Sequence, residues 1–441
     1  MCKKSSTFAL AFGKWVGPQM NDGLINDGLM KKLNLKNIDR TFWGLYGALI
    51  IVAVIALFSA SSTLVYMNHS ALGPIGQQMA FLILGIAAAF VIQFIPSYWI
   101  RFGGYILLAL STLLVYSTMI PGNPFVVTIN GAARWVRIAG ITFQPSELAK
   151  LSLIIVVADQ LARIRSEEDK RKYFYRTLLI TAVVALPILA SNLSTAVLIC
   201  GIVFCLWVLA RVPWQYTASV LGIAVVALVL GYCLVEFAFV RPGREMHGPF
   251  RRATTWVARI DRHLADDNAD DKYRLTDENI QEVYASVAIA RGGTSPVGVL
   301  PGNSKERDYL PLAFADYIFA IIVEESGVTG AGFLIFLYLA ILFRACNVSS
   351  RYSDMPAMLM TMGLALMITC QALVSMLVAV GLGPVTGQPL PLISRGGTSV
   401  LIPSVYFGIM MGVSPEQLEL RERVNETIEQ SLDDAPIVTV E

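Results

Sequence analysis

The chain has 441 residues, of which 55% are hydrophobic and only 15% are charged. Soluble domains usually carry about 25% charged residues, so this composition excludes an ordinary soluble globular protein. Lys and Arg number 34 against 32 Asp and Glu, and this balance argues against a nucleic-acid-binding surface, which needs excess positive charge. Three His and six Cys, without any C-x-x-C spacing, indicate neither a metal centre nor a disulfide framework.

Apolar segments long enough to cross a bilayer follow one another along the chain. A helix satisfies its own backbone hydrogen bonds in lipid and needs about 20 apolar residues to cross the hydrocarbon core. The predicted spans cover approximately residues 42–66, 76–96, 102–120, 146–162, 177–190, 195–210, 216–238, 316–343, 356–380 and 397–413. This pattern predicts an all-α polytopic membrane protein with about ten transmembrane helices.

The distribution of Lys and Arg predicts which connections face the cytoplasm. If residues 1–40 are cytoplasmic, that side holds nineteen Lys and Arg, whereas the short connections outside hold three, Arg134, Arg137 and Arg395. Both termini are then cytoplasmic, as an even number of spans requires. The chain divides accordingly into three parts, which are a cytoplasmic tail (1–40), a membrane domain (41–413) with a long extracytoplasmic loop (239–315) between helices seven and eight, and a second cytoplasmic tail (414–441).

The first polar segment on the outer side, residues 121–150, ends in a helix that Pro145 begins. Before that helix, the segment 134–138 has the composition of a β-strand. Glu147 and Lys150 lie three residues apart and therefore share one face of the helix. Two interpretations stay open for this pair. It is an ordinary ion pair at the membrane interface, or it faces an interior cavity, because charges inside a span usually mark function.

The loop at 239–315 is long enough to contain structure of its own. Residues 250–264 predict an amphipathic helix that either meets lipid headgroups or lies in solvent. The acidic stretch that follows lacks the spacing of a calcium loop and indicates a solvated face. Asp316, just after the loop, either caps the next helix or acts chemically. Glu324 and Glu325 lie two turns into that helix, where a buried acidic pair is costly and usually paired or functional.

The third polar segment, residues 380–399, contains three Pro and five Gly and cannot form a regular helix. Irregular backbone at membrane depth is covered by protein or lines a polar cavity. Gly396 and Gly397 precede the last helix. They form a simple turn or present backbone N–H groups to an anion such as a diphosphate.

Three long motifs occur in order along the chain: GAARW (131–135) with FQPSELAK (143–150), GVLPGNSKERDYLP (298–311) with ADYIFAIIVEESG (315–327), and GLGPVTGQPLPLISRGGTS (381–399). Together they resemble the SEDS family of bacterial membrane proteins, which act in shape, elongation, division and sporulation. The resemblance extends from about residue 42 to residue 413 and is closest to the FtsW branch of the FtsW, RodA and SpoVE proteins.

The resemblance implies a peptidoglycan glycosyltransferase of the inner membrane that polymerises lipid II into glycan strands at the outer face during division. It implies a class B penicillin-binding protein transpeptidase and other divisome proteins as partners, with undecaprenyl-diphosphate-linked glycan as the product. No resident cofactor or metal is implied, although a divalent cation could accompany the diphosphate. Two alternatives stay open, a lipid II flippase and a non-catalytic divisome scaffold.

Site residues follow from the same resemblance together with the chemistry of the reaction. The family's catalytic carboxylate, acting as general base, falls at Asp316, and the diphosphate needs positive charge and hydrogen-bond donors. The expected substrate-binding residues are Arg134, Glu147, Lys150, Asn192, Ser394, Arg395, Gly396 and Gly397. The chain departs from the family pattern at Ala315, often polar in the family, at Asn192, where an acid would pair with Lys150, and at Arg395, often Tyr.

Overall fold

The computed structural model describes residues 39–60, 72–120, 122–129, 132–138, 141–240, 253–264, 279–293, 298–300, 302–306, 316–351, 354–383 and 386–413. The predicted tails therefore lie outside the described residues, apart from Asp39 and Arg40. Those two residues already belong to the helical part, because Asp39 accepts hydrogen bonds from the first turn of the first helix and forms an ion pair with Arg344 at 2.8 Å.

Each predicted span contains a helix, and residues 61–66 of the first predicted span lie outside the described residues. In chain order these helices are α1 (Arg40–Ala60), α2 (Leu72–Ile92), α3 (Ser97–Ser117), α4 (Pro145–Leu161), α5 (Glu167–Ser191), α6 (Leu193–Leu209), α7 (Trp214–Val235), α10 (Ile318–Ser349), α11 (Met355–Ala379) and α12 (Gly397–Gly412). Two further helices lie in the long loop, α8 (Ala253–Leu264) and α9 (Ile280–Gly293). A π-helical turn, Glu236–Val240, extends α7.

Seven of the described helices are long and apolar enough to cross a membrane, namely α1, α2, α3, α5, α7, α10 and α11. Helices α6 and α12 are apolar but shorter, and the 17 residues of α4 include Glu147, Lys150 and Asp159. The protein is thus a multi-helix integral membrane protein, as the composition predicts. The count of ten spans and the side of each loop stay predictions.

Helices α4 and α11 form the centre of the bundle, and almost every residue of α4 is buried. The two helices approach closely at Gly363 of α11, where a Cβ atom would lie 2.7 Å from the Cγ2 atom of Ile154 on α4. Small residues allow such close packing between membrane helices. In α7, by contrast, only Thr217 and Val235 are buried. Polar side chains on α4 and α11 are therefore enclosed by protein, whereas α7 lies at the periphery.

Helix α5 begins ten residues before its predicted span at 177–190. Ser166 caps the helix, since its Oγ atom accepts a hydrogen bond of 3.2 Å from the Asp169 backbone N–H. Glu167 adds negative charge to the first turn, which the helix dipole favours. Residues 167–176, predicted as part of a polar connection, consequently form the first turns of α5, and only residues 163–166 remain outside a helix.

A small antiparallel sheet precedes α4 and adds β-structure that the all-α prediction lacked. Its strands are β1 (Val126–Ile129), β2 (Ala132–Ile138) and β3 (Ile141–Phe143), in the order β1-β2-β3. Only the middle strand was predicted, and its neighbours are short. Val136 pairs with Val126 on one side and with Phe143 on the other. The sheet holds Arg134 in its central strand, and Pro145 begins α4 as predicted.

Helix α8 confirms the amphipathic helix predicted at 250–264. Val257 on its apolar face packs against Val235 at the end of α7. The Tyr232 hydroxyl of α7 also donates a hydrogen bond to Asp261 of α8. Ala253 and Val257 on the apolar face of α8 are therefore buried against the end of α7.

Reporter fusions test the predicted orientation. A reporter fused after Lys172 is expected to be cytoplasmic, and one inserted near Asn268 is expected to be outside, because Lys and Arg concentrate on the inner side. Alkaline phosphatase, active outside, and green fluorescent protein, fluorescent inside, give opposite signals at each position. The reverse pattern at both positions would contradict the orientation and move the active site to the cytoplasmic face.

Candidate active site

Asp316 lies directly before α10 and is half-buried. The helix begins at Ile318 with Tyr317 as its N-cap residue, and no side-chain hydrogen bond caps it there. Asp316 is thus one residue too early to be the N-cap. The capping interpretation of this aspartate is therefore wrong. Its carboxylate does not cap α10 and can take part in a reaction.

Two arginines from distant parts of the chain act on this carboxylate. Burial raises the pKa of Asp316 above its ordinary value of 3.8, and the positive charges of Arg134 on β2 and Arg259 on α8 oppose that rise. Burial also lowers the pKa of Arg134, an effect that the charge of Asp316 opposes. A carboxylate made more basic by burial, beside cations that favour its charged form, is suited to accept a proton from a substrate.

The irregular segment between α11 and α12 closes the site. Gly387 has φ +62°, and a Cβ atom there would lie 3.6 Å from Asp316 Oδ2 and 3.9 Å from Arg134 Nη1. Glycine suits this position because it accepts the left-handed conformation without strain. The carboxylate and the guanidinium therefore face the same small space beside Gly387.

Unpaired polar atoms belong to Arg134 and to the residues next to Asp316 and Gly387 in the sequence. Arg134 Nε, the Tyr317 hydroxyl, Thr386 Oγ1 and Gln388 Oε1 are buried and have no hydrogen-bond partner within the part of the chain that the structure describes. Thr386 and Gln388 flank Gly387, and Tyr317 follows the carboxylate. Leaving a buried polar atom unpaired costs about 1–3 kcal/mol, so such atoms are rare in folded proteins. Their concentration here indicates a site for a polar ligand.

Glu147 and Lys150 do not face this space. They form an ion pair of 2.7 Å, and the side chain of Lys150 is 0% exposed. Lys150 Nζ also donates a hydrogen bond of 2.7 Å to Gln371 Oε1, and Gln371 Nε2 donates to the Pro389 carbonyl at 3.1 Å. Protein encloses both residues, which favours a structural ion pair, and contact of the pair with substrate stays a prediction. The pair joins α4 to α11 and to the irregular segment.

Asn192 caps α6, the helix whose first turn is hydrogen-bonded to Gln388 of the irregular segment. Its Oδ1 atom accepts hydrogen bonds from the Thr195 backbone N–H at 3.3 Å and from Ser194 Oγ at 2.8 Å. Gln388 Nε2 in turn donates to Thr195 Oγ1 at 2.5 Å and to Ser194 Oγ at 3.2 Å. Lys150 does not need an acid at position 192, since Glu147 pairs with it. Contact between Asn192 and substrate stays a prediction.

Ser394 and Arg395 lie in the last polar motif with different surroundings. Ser394 is fully buried, and its Oγ atom accepts a hydrogen bond of 2.8 Å from the Leu390 backbone N–H. Its hydroxyl therefore closes a turn, and its contact with substrate stays a prediction. Arg395 is half-buried, and burial lowers the pKa of its guanidinium. Its contact with a diphosphate stays a prediction.

Gly396 and Gly397 serve the packing of α12 on α2. The Gly396 backbone N–H already donates to Gln78 Oε1 at 3.2 Å. A Cβ atom at Gly397 would lie 2.8 Å from the Phe81 ring. The simple-turn interpretation is therefore favoured, because the Gly396 amide is not available to an anion in this conformation.

Several residues of the site escaped the sequence analysis. Gln371 is polar and lies inside an apolar span, a signal that would have marked it. Thr386 and Gln388 lie in a segment that was recognised as irregular, but nothing in the pattern distinguishes them from their neighbours. Arg259 lies in the predicted amphipathic helix 250–264, and its charge alone does not mark it as part of a site. Tyr317 has the appearance of an ordinary residue at a helix start.

These observations define a class of protein. A helical membrane bundle brings a half-buried carboxylate close to Arg134 and within the influence of Arg259, with unpaired polar atoms on the residues that flank Asp316 and Gly387 in sequence. Such a site fits the charged headgroup of a lipid substrate. Among the described residues, no three His, Cys, Asp or Glu side chains are close enough to share a metal ion.

Comparison with known proteins agrees with this class. Residues 39–419 match the sequence profile of the FtsW, RodA and SpoVE cell cycle proteins. The chain therefore belongs to the FtsW/RodA/SpoVE family. It is 30% identical over 404 residues to a probable peptidoglycan glycosyltransferase FtsW from Enterococcus hirae, covering 89% of this chain and 96% of the relative. It is also 30% identical to the FtsW protein of the same description from Saccharophagus degradans, covering 89% and 95%.

Solved structures show the same fold. A chain from a structure titled "Structural coordination of polymerization and crosslinking by a peptidoglycan synthase complex" matches with a TM-score of 0.63 and 26% identity, covering 85% of this chain and 97% of that chain. The rod shape determining protein RodA of Thermus thermophilus matches with a TM-score of 0.58 and 22% identity, covering 87% and 97%.

Proposed function

We propose that this protein is a peptidoglycan glycosyltransferase that polymerises lipid II at the outer face of the cytoplasmic membrane, with Asp316 as general base. The observation that carries the proposal is the half-buried Asp316 carboxylate. It is unused by the helix that it precedes and shares the space beside Gly387 with Arg134. The relatives named as peptidoglycan glycosyltransferases support the reaction class.

The reaction requires a general base for the attacking hydroxyl and positive charge for the leaving diphosphate. The 4-hydroxyl of the acceptor sugar attacks C1 of the donor sugar, the bond from C1 to the diphosphate oxygen breaks, and the lipid diphosphate leaves with the bonding electrons. The hydroxyl proton passes to the Asp316 carboxylate. Arg134 and Arg259, whose charges act on Asp316, can stabilise the negative charge that grows on the diphosphate.

The unpaired atoms extend this assignment to substrate binding. Gln388 Oε1 and Thr386 Oγ1 can accept hydrogen bonds from sugar hydroxyl or acetamido groups, and Arg134 Nε can donate to a phosphate oxygen. Pairing with a ligand would remove the cost of leaving these atoms unpaired. The sugar supplies hydrogen-bond donors for the two oxygen atoms, and the diphosphate supplies acceptors for the guanidinium group.

Purified protein with fluorescently labelled lipid II separates this function from its alternatives. Glycan ladders on a gel are expected from the wild-type chain in detergent, where no bilayer separates two leaflets. A flippase would move labelled lipid II across a liposome without making polymer, and a scaffold would do neither. The relatives named as peptidoglycan glycosyltransferases favour polymerisation over the flippase alternative.

We further propose that the protein acts with a class B penicillin-binding protein transpeptidase and other divisome proteins at the septum. The similarity to a chain from a peptidoglycan synthase complex supports a partner of this kind. Depletion in cells is expected to give filaments if the role is in division, whereas rounded cells would indicate elongation. Polymerisation after chelation of divalent cations tests whether a cation accompanies the diphosphate.

The pH dependence of polymerisation provides a separate prediction. A general base must be ionised, and burial raises the pKa of Asp316, so the acid limb of kcat/KM is expected above the ordinary carboxyl value of 3.8. The charge of Arg134 lowers that pKa. Arg134→Ala should therefore move the acid limb to higher pH.

Arg134→Lys is the matched control, since it keeps the positive charge and should leave the acid limb near its wild-type position. Initial rates across the pH range at low lipid II concentration give both profiles. An acid limb that stays in place or moves to lower pH in Arg134→Ala would show that Arg134 does not act on the catalytic carboxyl.

A further inference from the structure

Glu324 and Glu325 lie in the first part of α10 and play no role in the mechanism above. Their residues are 0% and 4% exposed. Two neighbouring carboxylates buried in this way are very costly unless each is paired and hydrogen-bonded. The partners of each carboxylate therefore show what the acidic pair does.

Glu324 binds the loop that leads towards the active site, together with α9. Its Oε2 atom accepts a hydrogen bond from Ser304 Oγ, and its Oε1 atom accepts one of 3.1 Å from the Lys305 backbone N–H. Arg291 of α9 places Nη1 3.5 Å from the same Oε1 atom. One carboxylate thus holds two elements that are remote from it in sequence.

Glu325 connects the same loop to α1. Its Oε1 atom accepts hydrogen bonds from Ser59 Oγ near the end of α1 and from the Gly302 backbone N–H at 3.0 Å. The two adjacent side chains therefore fasten α1, α9 and residues 302–306 to one level of α10.

The backbone of α10 is open to the loop at this level because the helix breaks at Gly327, where φ is 65° and ψ is −164°. The break interrupts the helical hydrogen-bond ladder. The Val299 N–H donates to the Glu324 carbonyl at 3.0 Å, and the Leu300 N–H donates to the Glu325 carbonyl at 2.8 Å. The loop thereby donates hydrogen bonds to two helix carbonyl groups at the break in the helix.

Glycines allow the loop and α9 to approach the backbone of α10 closely. A Cβ atom at Gly298 would lie 2.6 Å from the Glu324 carbonyl oxygen, and Gly292 of α9 has no room for one beside the Val323 carbonyl. The contacts are therefore between backbones and tolerate little displacement. They fix the outer segment of α10, residues 318–326, against its surroundings.

We propose that Glu324 and Glu325 are positioning residues that hold this outer segment, and with it Asp316, in the catalytic orientation. Asp316 precedes Glu324 by eight residues, about 12 Å along a helix, so neither glutamate touches the reacting atoms. Asp316 lies eleven residues from the break at Gly327, and a tilt of about 4° there would move it by about 1 Å. A misplacement of about 1 Å can cost about 100-fold in rate.

The test compares Glu324→Gln, Glu325→Gln and Ser304→Ala in the full-length purified protein, and it rests on the proposed function. Each glutamine keeps the shape of the side chain but loses the charge. The turnover number for lipid II polymerisation is expected to fall about 10–100-fold in the glutamine variants, with KM changed less than about threefold. Ser304→Ala, which leaves both carboxylates in place, should show a smaller loss of the same kind.

Asp39→Asn is the matched control. Asp39 is also a buried carboxylate paired with an arginine, Arg344, but it lies at the opposite end of α1 from Ser59. It should lower the thermal unfolding midpoint without changing turnover. Hydrogen exchange of the amides at 298–306 should become faster in Glu324→Gln and stay at the wild-type rate in Asp39→Asn.

The outcomes separate this inference from the proposed function. Wild-type turnover in Glu324→Gln, together with faster exchange at 298–306, would overturn the positioning role. If Glu324→Gln does not fold, Ser304→Ala decides, and an unchanged turnover number in that variant overturns the inference equally. Failure of the wild-type chain to make polymer would instead remove the proposed function.

Discussion

Asp316→Asn is expected to lower the turnover of glycan polymerisation by about 10²–10⁴-fold, the contribution of a positioned general base. Asparagine has nearly the same shape but cannot accept the hydroxyl proton. Insertion and thermal stability should stay at wild-type levels, because α10 begins at Ile318 without help from this side chain. Burial disfavours the charged form of Asp316, and the neutral asparagine side chain avoids this desolvation penalty.

The measurement is the initial rate of polymer formation by purified protein at saturating lipid II. Glu168→Gln is the matched control, since it neutralises an exposed carboxylate in the first turn of α5, and it should polymerise like the wild type. Near-normal turnover by well-folded Asp316→Asn would remove this residue from the mechanism and reopen the flippase and scaffold alternatives.

Lys150→Ala is expected to destabilise the protein by about 3–5 kcal/mol, the usual effect of removing one partner of a buried ion pair. Lys150 is 0% exposed and binds both Glu147 and Gln371 at 2.7 Å. Its removal leaves the Glu147 carboxylate buried without its cation and releases the link from α4 through Gln371 to Pro389. Low protein level and a lowered thermal unfolding midpoint in detergent are the expected readouts.

The double variant Glu147→Gln with Lys150→Met separates charge from packing. Replacing both partners removes the stranded charge, and buried ion pairs replaced in this way are often neutral in stability. The double variant should therefore regain most of the protein level that Lys150→Ala loses. A wild-type unfolding midpoint in Lys150→Ala combined with lost turnover would restore the interpretation that this pair contacts substrate.

The spans could be predicted because the membrane imposes a simple rule on sequence. Every backbone group must be paired inside the bilayer, so long apolar runs predict helices with little ambiguity. The start of α5 was missed because its first turns are charged, and only the cap at Ser166 marks them. The sheet was missed in part because β3, Ile141–Phe143, is too short to show an alternating pattern.

The candidate site was less accessible to sequence analysis. An i,i+3 spacing places Glu147 and Lys150 on one face of a helix, but it does not say whether that face meets a cavity or another helix. Two adjacent glycines suggest an anion site as readily as close packing against Phe81. Spatial convergence, such as that of Arg259 on Asp316, depends on tertiary structure that no local pattern encodes.

The acidic pair in α10 shows what a sequence can and cannot establish. Buried carboxylates in an apolar helix predict that partners exist, and the structure confirms them. Which partners they are depends on the break at Gly327, which brings Val299 and Leu300 against the helix backbone. A glycine within a helical pattern is usually tolerated without a break, so the sequence alone did not predict it.

The most direct test of the central claim is a side-by-side assay of wild-type protein and Asp316→Asn in liposomes that contain labelled lipid II and no other enzyme. Polymer length on a gel and transbilayer movement of the label are measured in the same samples. The expected result is a glycan ladder from the wild type and almost none from Asp316→Asn at equal protein level. Transbilayer movement without polymer from the wild type, or equal ladders from both proteins, would contradict a lipid II polymerase that uses Asp316 as its base.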